Sequence, residues 1–365
     1  MKLIHFADLH LDTQFAWADP RVAAKRRQAL REALLSIVRL AGDQHVDALL
    51  CAGDLYEQDR FSPDTAAFLC ATFEQVHPLP VYVSPGNHDW LGPTSLYSIV
   101  KWSPNVRIFD ADHLTPVTLA DGLTLWGAAN QTPTTTKDFL EGFRVDRGGI
   151  NIALFHGSER SSLVLQGQGK SAYAPFAAAE VPASGLTHAF VGHYHAPQDA
   201  DAFTYPGNPE PLTFGETGNR GPVLVTINDD GSISRERHVI AKTQVRDVTV
   251  DLTGCGSSQE VRDRTASALA GLVGTVRVTL SGEVLPDVDT RLEGLTGLGP
   301  QLDGLVFKVG DLRVGYDLEK LRSEQTVRGE FVQQVGDGNL PDALKRRVLV
   351  TGLRALDGRQ DLEVG

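Results

Sequence analysis

The triplet Asn87-His88-Asp89, which follows Pro85-Gly86, combines three functional groups. They are a neutral amide oxygen able to ligate a metal, an imidazole able to carry a proton near neutral pH, and a carboxylate able to hold that imidazole in one orientation. Complementary side chains occur at four other places: Asp8-Leu9-His10, Gly53-Asp54, His156-Gly157-Ser158 and Gly192-His193-Tyr194-His195. Together they supply Asp8, His10, Asp54, Asn87, His88, His156, His193 and His195. All are hard or borderline oxygen and nitrogen donors without a thiolate, a set that suits manganese, magnesium, iron or zinc. Seven ligands plus water oxygens are too many for one tetrahedral ion and suit two ions sharing a carboxylate. Asp-x-His and His-x-His each direct alternate side chains to one side of an extended segment, so both members of a pair can reach one cleft. Singly, each motif is explained by turn chemistry or by an ordinary hydrogen-bonded histidine. Five such signals in succession are not.

The elements that must position these groups are legible around them. Lys2 to Phe6 reads as a strand ending at Asp8-Leu9-His10. Pro20 to Ala41 reads as a helix, and its Arg21, Lys25, Arg26, Arg27 and Arg31 read as a solvated face rather than a polyanion contact. Ala48 to Ala52 is a fully apolar strand ending at Gly53-Asp54, Ser62-Pro63-Asp64 caps a second helix, and Val81 to Val83 leads into Pro85-Gly86-Asn87. Three strand–loop–helix units imply a parallel α/β core with ligands at the carboxyl ends of the strands. Beyond Lys101, strands at 106–109, 114–119, 123–126, 150–155 and 189–191 are expected to form a second sheet packed face to face on the first. Val223 to Ile227 and Ser232 to Val239 read as a closing hairpin. His5, His45, His77, His113, His188 and His238 have no such partners and read as structural.

The chain has 365 residues, 41% of them hydrophobic and 22% charged, enough for a large core and more than one domain. No stretch approaches a membrane span or a signal peptide, so a cytoplasmic protein with no membrane partner is expected. Cys51, Cys70 and Cys255 lack metal-ligand spacing, and Cys51 reads as a small core residue. A net charge of −12 argues against a general polyanion binder, although bound cations or a local basic groove can override it at one site.

With these residues in hand, the chain resembles the calcineurin-like metallophosphoesterases, through Asp8-x-His10, Gly53-Asp54, Gly86-Asn87-His88-Asp89, His156 and Gly192-His193-x-His195. Within them it is similar to the SbcD-type, YhaO-like DNA repair exonucleases, through Phe6-Ala7-Asp8-Leu9-His10-Leu11-Asp12, Gly53-Asp54-Leu55-Tyr56 and Tyr205-Pro206-Gly207-Asn208-Pro209. The resemblance implies a four-layer αββα sandwich. It implies Asp8, His10 and His195 on one ion, Asn87, His156 and His193 on the other, and Asp54 bridging. It implies manganese, with magnesium, iron or zinc as alternatives, and two cations about 3.5 to 4 Å apart that activate a bridging hydroxide. His88 would then protonate the leaving oxygen with Asp89 holding its ring. Where nuclease relatives commonly carry a histidine three positions after the bridging Asp, this chain has Glu57, which is expected to repel a phosphate unless Arg60 compensates as a substrate contact. Val145-Asp146-Arg147-Gly148 has no Gly-Asp at the distance a protein phosphatase requires.

Three domains are expected: residues 1–241 carrying the ligands, a small α/β cap at 242–321 opened by the capping box Ser257-Ser258-Gln259-Glu260, and a helix pair at 322–365. Within the cap a weaker helix is expected near Thr290 and a strand at Leu305 to Val309. In the pair, Val327, Phe331, Val332 and Val335 form one apolar stripe, and Leu344, Val348, Leu349, Leu353 and Leu356 another. The resemblance implies DNA as the substrate and a seat on the helix pair for the coiled coil of an SbcC-type ATPase; simple packing on the cap explains those stripes equally well. A homodimer is left open. Two other readings stay in play: a phosphoesterase acting on a nucleotide or other small molecule, and a DNA- or ATPase-binding scaffold with a vestigial metal site.

Overall fold

The computed structural model describes residues 1–135, 137–162, 172–286, 288 and 292–358. The chain divides into two compact units, Met1–Val245 and Arg246–Gly365.

The first unit opens with β1 (Lys2–Phe6) and α1 (Pro20–Gln44). Helix α1 starts where Asp19 accepts the backbone N–H groups of Arg21 and Val22, with Pro20 in the first turn. It runs a turn beyond the expected end and stops at His45, whose backbone is left-handed. Next come β2 (Ala48–Cys51), α2 (Pro63–Glu74), β3 (Val81–Val83), the single turn α3 (Leu96–Ile99) and β4 (Val106–Ile108). The second half contributes β5 (Thr115–Ala120), β6 (Leu123–Gly127), β7 (Ile150–His156), α4 (Glu180–Ala183) and β8 (His188–Gly192). It closes with β9 (Gln198–Asp199), β10 (Phe203–Tyr205), β11 (Val223–Ile227) and β12 (Ile233–Arg237).

These strands form two six-stranded sheets, ordered β12-β11-β1-β2-β3-β4 and β5-β6-β7-β8-β10-β9. β1 to β4 run parallel, with β11 antiparallel on β1, so the strand at 106–108, expected in the second sheet, instead extends the first by pairing with β3; in the second sheet β6, β7, β8 and β10 run parallel. Strand alternation explains the layering. Ile4 and Phe6 face α1, in a core with Leu30, Leu34 and Ile37. Leu3 and Ala7 face the other way, in a core shared with Leu125, Leu154 and Phe190 of the second sheet, so the sheets pack face to face. The outer face of the second sheet is covered by Leu140, Phe176 and Val181, from α4 and irregular segments.

The solvated basic face expected on α1 needs one correction. Arg26 is buried, its guanidinium 5.4 Å from the Phe15 ring centroid and 5.6 Å from that of Trp17, where cation–π contact and a hydrogen bond to the Pro211 carbonyl replace solvent. Cys51 and Cys255 are buried and Cys70 half-buried, all three as free thiols.

The second unit has its own sheet, β13-β14-β15, from β13 (Val245–Asp251), β14 (Thr275–Val284) and β15 (Gly304–Val314), with α5 (Ser258–Leu269) over it. Ser257 caps α5 by accepting the Glu260 N–H, while the Glu260 carboxylate reaches back to the N–H of Gly256. Thr290 lies outside the described residues, and Leu292–Leu295 forms a 3-10 turn. Three helices follow, α6 (Leu318–Arg322), α7 (Val327–Asp337) and α8 (Asp342–Leu356), around a small core of Leu321, Val332, Leu349 and Leu353. Among the described residues no helix is long and apolar enough to cross a membrane.

Candidate metal centre

The segments leaving β1 and β2 run side by side beyond the sheet. Asp8 N–H donates to the Gly53 carbonyl (3.0 Å), His10 N–H to that of Asp54 (2.9 Å) and Leu11 N–H to that of Leu55 (3.0 Å). Asp8, His10 and Asp54 adopt left-handed backbone (φ 55°, 49° and 51°), and His193 has φ 115°. Such conformations cost about 1–3 kcal/mol each in a non-glycine residue and persist where the surroundings enforce them. Small residues make room at the strand ends. A Cβ on Gly86 would stand 2.3 Å from Asp54 Oδ1, and one on Gly192 2.1 Å from the Ala52 carbonyl.

The expected ligands converge in two groups, Asp8–His10–His195 and Asp54–His156–His193, each with its ligand atoms within 4.8 Å of one another. Asp54 Oδ2 stands 3.5 Å from His10 Nε2 and 3.2 Å from His156 Nε2, so one oxygen is common to both groups. Asn87 Oδ1 lies 3.0 Å from His156 Nε2 and 3.1 Å from His193 Nδ1, which places the amide with the second group.

Oxygens on the far side of three rings choose the nitrogen each presents. His10 Nδ1–H points to Glu57 Oε1 (2.8 Å), His156 Nδ1–H to the Ala52 carbonyl (2.8 Å) and His195 Nδ1–H to Glu216 Oε1 (2.7 Å). Each neutral ring then carries its lone pair on Nε2, toward the centre. Among the described residues, the Nε2 atoms of His10 and His193 are buried without a hydrogen-bond partner. Lone pairs that face carboxylate oxygens with no donor between them, at a site that would otherwise leave buried polar atoms unsatisfied, fit divalent cations. The electrostatics agree. Burial works against a charge on His156, yet the Asp54 and Asp8 carboxylates outweigh it and lift the ring to about 9. Burial would raise Asp54, but His156 and His10 hold it well below the usual carboxylate range. A cation would displace the proton that this field attracts.

The expectation that Asp89 orients the His88 ring is not met. Asp89 is fully buried and accepts from Gly86 N–H (2.5 Å), Leu55 N–H (2.7 Å), Asp54 N–H (3.1 Å) and the Tyr97 hydroxyl (2.5 Å). It ties the Asp54 and Asn87 segments together. The chain bends at residues 87–89, so Asp89 turns inward to these donors while the exposed His88 faces the cleft. The ring of His88 is held by Glu57, whose Oε2 lies 3.0 Å from His88 Nδ1. Glu57, expected to repel a phosphate, thus has one carboxylate oxygen on a candidate ligand and the other on the candidate acid. Burial alone would raise its pKa; the bonds to His10 and His88 outweigh that and hold it at about 2.

Of these side chains, His10, Asp54, Glu57, Asn87, His88, His193, His195 and Glu216 line one cavity of about 1060 Å3, which also takes in Arg60, Tyr173, Trp17 and Phe214. Glu57 and Glu216 were missed as orienting groups. Glu57 carries a faint signal, three residues after Asp54 on the same exit segment. Glu216 carries none, 21 residues from His195.

Resemblances of the chain to known proteins fit this centre. The chain is 28% identical over 250 residues to the uncharacterized metallophosphoesterase YhaO of Bacillus subtilis, covering 65% of this chain and 59% of that protein. It is 26% identical over 297 residues to the DNA double-strand break repair protein Mre11 of Methanopyrus kandleri, covering 72% of this chain and 62% of that one. The chain therefore spans about three fifths of the length of the curated relatives it matches. A crystal structure of TT1561 from Thermus thermophilus aligns at a TM-score of 0.37 and 15% identity over 65% of this chain and 98% of that one, too weak a likeness to carry an argument. The calcineurin-like phosphoesterase family model matches residues 1–197, more than half of the chain. On that match the chain belongs to the calcineurin-like phosphoesterases, metal-dependent hydrolases of phosphoester bonds.

Proposed function

We propose that this chain is a two-metal phosphodiesterase that cleaves DNA, with Asp8, His10 and His195 holding one ion, Asn87, His156 and His193 the other, and Asp54 shared. The observation that carries this reading is the single Asp54 oxygen between His10 Nε2 and His156 Nε2. Divalent ions, manganese in the first instance, would supply Lewis acidity toward a phosphoryl oxygen and make water nucleophilic at neutral pH. The chain's own residues do the rest. Glu57, Glu216 and the Ala52 carbonyl fix the tautomers of His10, His195 and His156. Asp89 holds the Asp54 and Asn87 segments in register. Glu57 engages Nδ1 of His88 and leaves Nε2 to protonate the departing oxygen. Arg60, on the same cavity, is a candidate phosphate contact.

DNA as the substrate is supported by the likeness to a DNA double-strand break repair protein and by the Tyr205-Pro206-Gly207-Asn208-Pro209 segment. We read residues 242–321 as a substrate-selecting module. We read α7 and α8, with Val327 73% and Leu344 43% exposed, as the seat of a coiled-coil ATPase in a cytoplasmic repair assembly. The test is manganese-dependent digestion of labelled single- and double-stranded DNA beside a chromogenic phosphodiester, with His88→Ala as the control. Cleavage of DNA that falls at least about a hundredfold in the variant is expected. Cleavage of the small ester alone would overturn the nuclease reading and favour a nucleotide phosphodiesterase.

A further inference from the structure

The cavity that holds the candidate ligands is larger than a phosphate and two ions require. At about 1060 Å3 it lies just above the range of roughly 300–1,000 Å3 typical of ligand pockets. The excess extends past His10 and His195 to Phe15, Trp17 and Phe214. Trp17 and Phe214 are half-buried, their ring centroids 4.7 Å apart at 58°. Phe15 meets the Trp17 ring edge-on at 5.9 Å, and the buried Arg26 guanidinium lies on the same two rings. The indole N–H is spent on the Leu212 carbonyl (3.1 Å), so what Trp17 brings to the cavity is an aromatic surface.

This aromatic wall is built onto the candidate metal centre. Glu216, which accepts from His195 at 2.7 Å, also accepts the Leu212 N–H at 2.6 Å and the Asn208 side-chain amide at 2.6 Å. Arg220 Nη1 donates to the His195 carbonyl (2.8 Å), and Arg220 Nε to that of Glu216 (2.8 Å). The loop carrying Phe214 and the indole of Trp17 are thereby fixed to the loop of His195. A rigid aromatic wall tied to the phosphate-cleaving end of one cavity suits a flat, π-faced group joined to the scissile phosphate.

We propose that Trp17 and Phe214 form a stacking subsite for an unpaired nucleobase next to the scissile phosphodiester. The proposal rests on the phosphodiesterase reading above and narrows its substrate to nucleotides whose base is out of the helical stack, such as single strands and frayed ends. Base–aromatic stacking tolerates every base, because each has a π face, and losing one such contact reduces binding on the order of tenfold.

The test uses the full chain loaded with manganese and two esters with the same leaving group, thymidine 5′-(4-nitrophenyl phosphate) and methyl 4-nitrophenyl phosphate. The wild type is expected to favour the thymidine ester in kcat/KM, and Trp17→Ala to cut that preference on the order of tenfold, chiefly through KM, with Trp17→Phe restoring most of it. Phe214→Ala, in a surface loop, gives a second variant should Trp17→Ala fold poorly, and should cut the same preference. An unchanged preference in both alanine variants would overturn the subsite. If neither ester is hydrolysed, the phosphodiesterase reading fails instead. Titration of the metal-free chain with thymidine 5′-monophosphate then decides the subsite: saturable quenching of tryptophan fluorescence that disappears in Trp17→Phe supports it, and no quenching overturns it.

Discussion

Glu57→Gln isolates the contact that joins the candidate metal centre to the candidate acid. The carboxylate serves two N–H donors at once, His10 Nδ1 at 2.8 Å and His88 Nδ1 at 3.0 Å. A carboxamide of the same size keeps one acceptor oxygen and replaces the other by an NH2 donor, so only one histidine can be served. If the oxygen stays with His10, His88 loses the partner that fixes its ring, and general-acid assistance of about 10²–10⁴ is at stake. If it stays with His88, His10 must move its proton to Nε2, the nitrogen that stands 3.5 Å from Asp54, and metal affinity should fall about 10–100-fold. Either way DNA cleavage should slow by about two orders of magnitude, close to 2.7 kcal/mol in the barrier. Leaving-group dependence separates the two outcomes. Nitrophenolate departs without protonation, so loss of DNA cleavage with the nitrophenyl ester retained points to His88. Loss of both, together with weaker manganese binding by calorimetry, points to His10. Wild-type DNA cleavage and wild-type manganese affinity in the same variant would refute the bridging role of Glu57.

Glu216→Gln should weaken manganese binding by about 10–100-fold, since an amide has one acceptor oxygen where the carboxylate serves His195 with one oxygen and the Leu212 N–H and Asn208 amide with the other; calorimetry reads the affinity and circular dichroism checks that the fold survives. Gly86→Ala places a Cβ 2.3 Å from Asp54 Oδ1 and must push the shared carboxylate aside, so cleavage should drop on the order of a hundredfold while the melting transition survives. His188, the first residue of β8, buried with its ring against Thr204 of β10 and the Asp201 carbonyl, is lowered to about 4 by burial and then by the Arg235 charge. Between pH 6.5 and about 4 the unfolded chain therefore takes up a proton that the fold excludes. This contribution to stability is complete above pH 6.5 and is lost as pH falls toward 4, by up to about 3 kcal/mol. Urea titrations of the metal-free protein across that range should show the loss, and His188→Asn should reduce it by the His188 share, leaving that of His5 and His193, which burial lowers in the same direction.

The candidate ligands were legible because each lies at or just beyond a strand end, and buried parallel strands announce themselves as short apolar runs such as Ala48 to Cys51. Their grouping was legible only in part. Asp-x-His and His-x-His spacing predicts a common cleft, but the left-handed backbone at Asp8, His10 and Asp54 depends on contacts between segments distant in sequence. Asp89 shows the limit most clearly. Adjacency to His88 suggested a dyad, whereas the bend at residues 87–89 turns the two side chains apart and gives the histidine to Glu57, 31 residues upstream. Glu216 and the aromatic wall of Trp17 and Phe214 had no local signature, because what brings them to the site is the packing of two loops against one another. Arg26 misled for a related reason: charge on a helix surface predicts solvent, and only the fold reveals the two rings beneath it.

The central claim is that one Asp54 oxygen joins two ions. Manganese titration followed by electron paramagnetic resonance tests it most directly. Two manganese ions per chain with an exchange-coupled, multiline dinuclear spectrum, which collapses to uncoupled signals in Asp54→Asn, is the predicted result. A single uncoupled ion per chain at saturation, or a coupled spectrum indifferent to Asp54→Asn, would contradict the account.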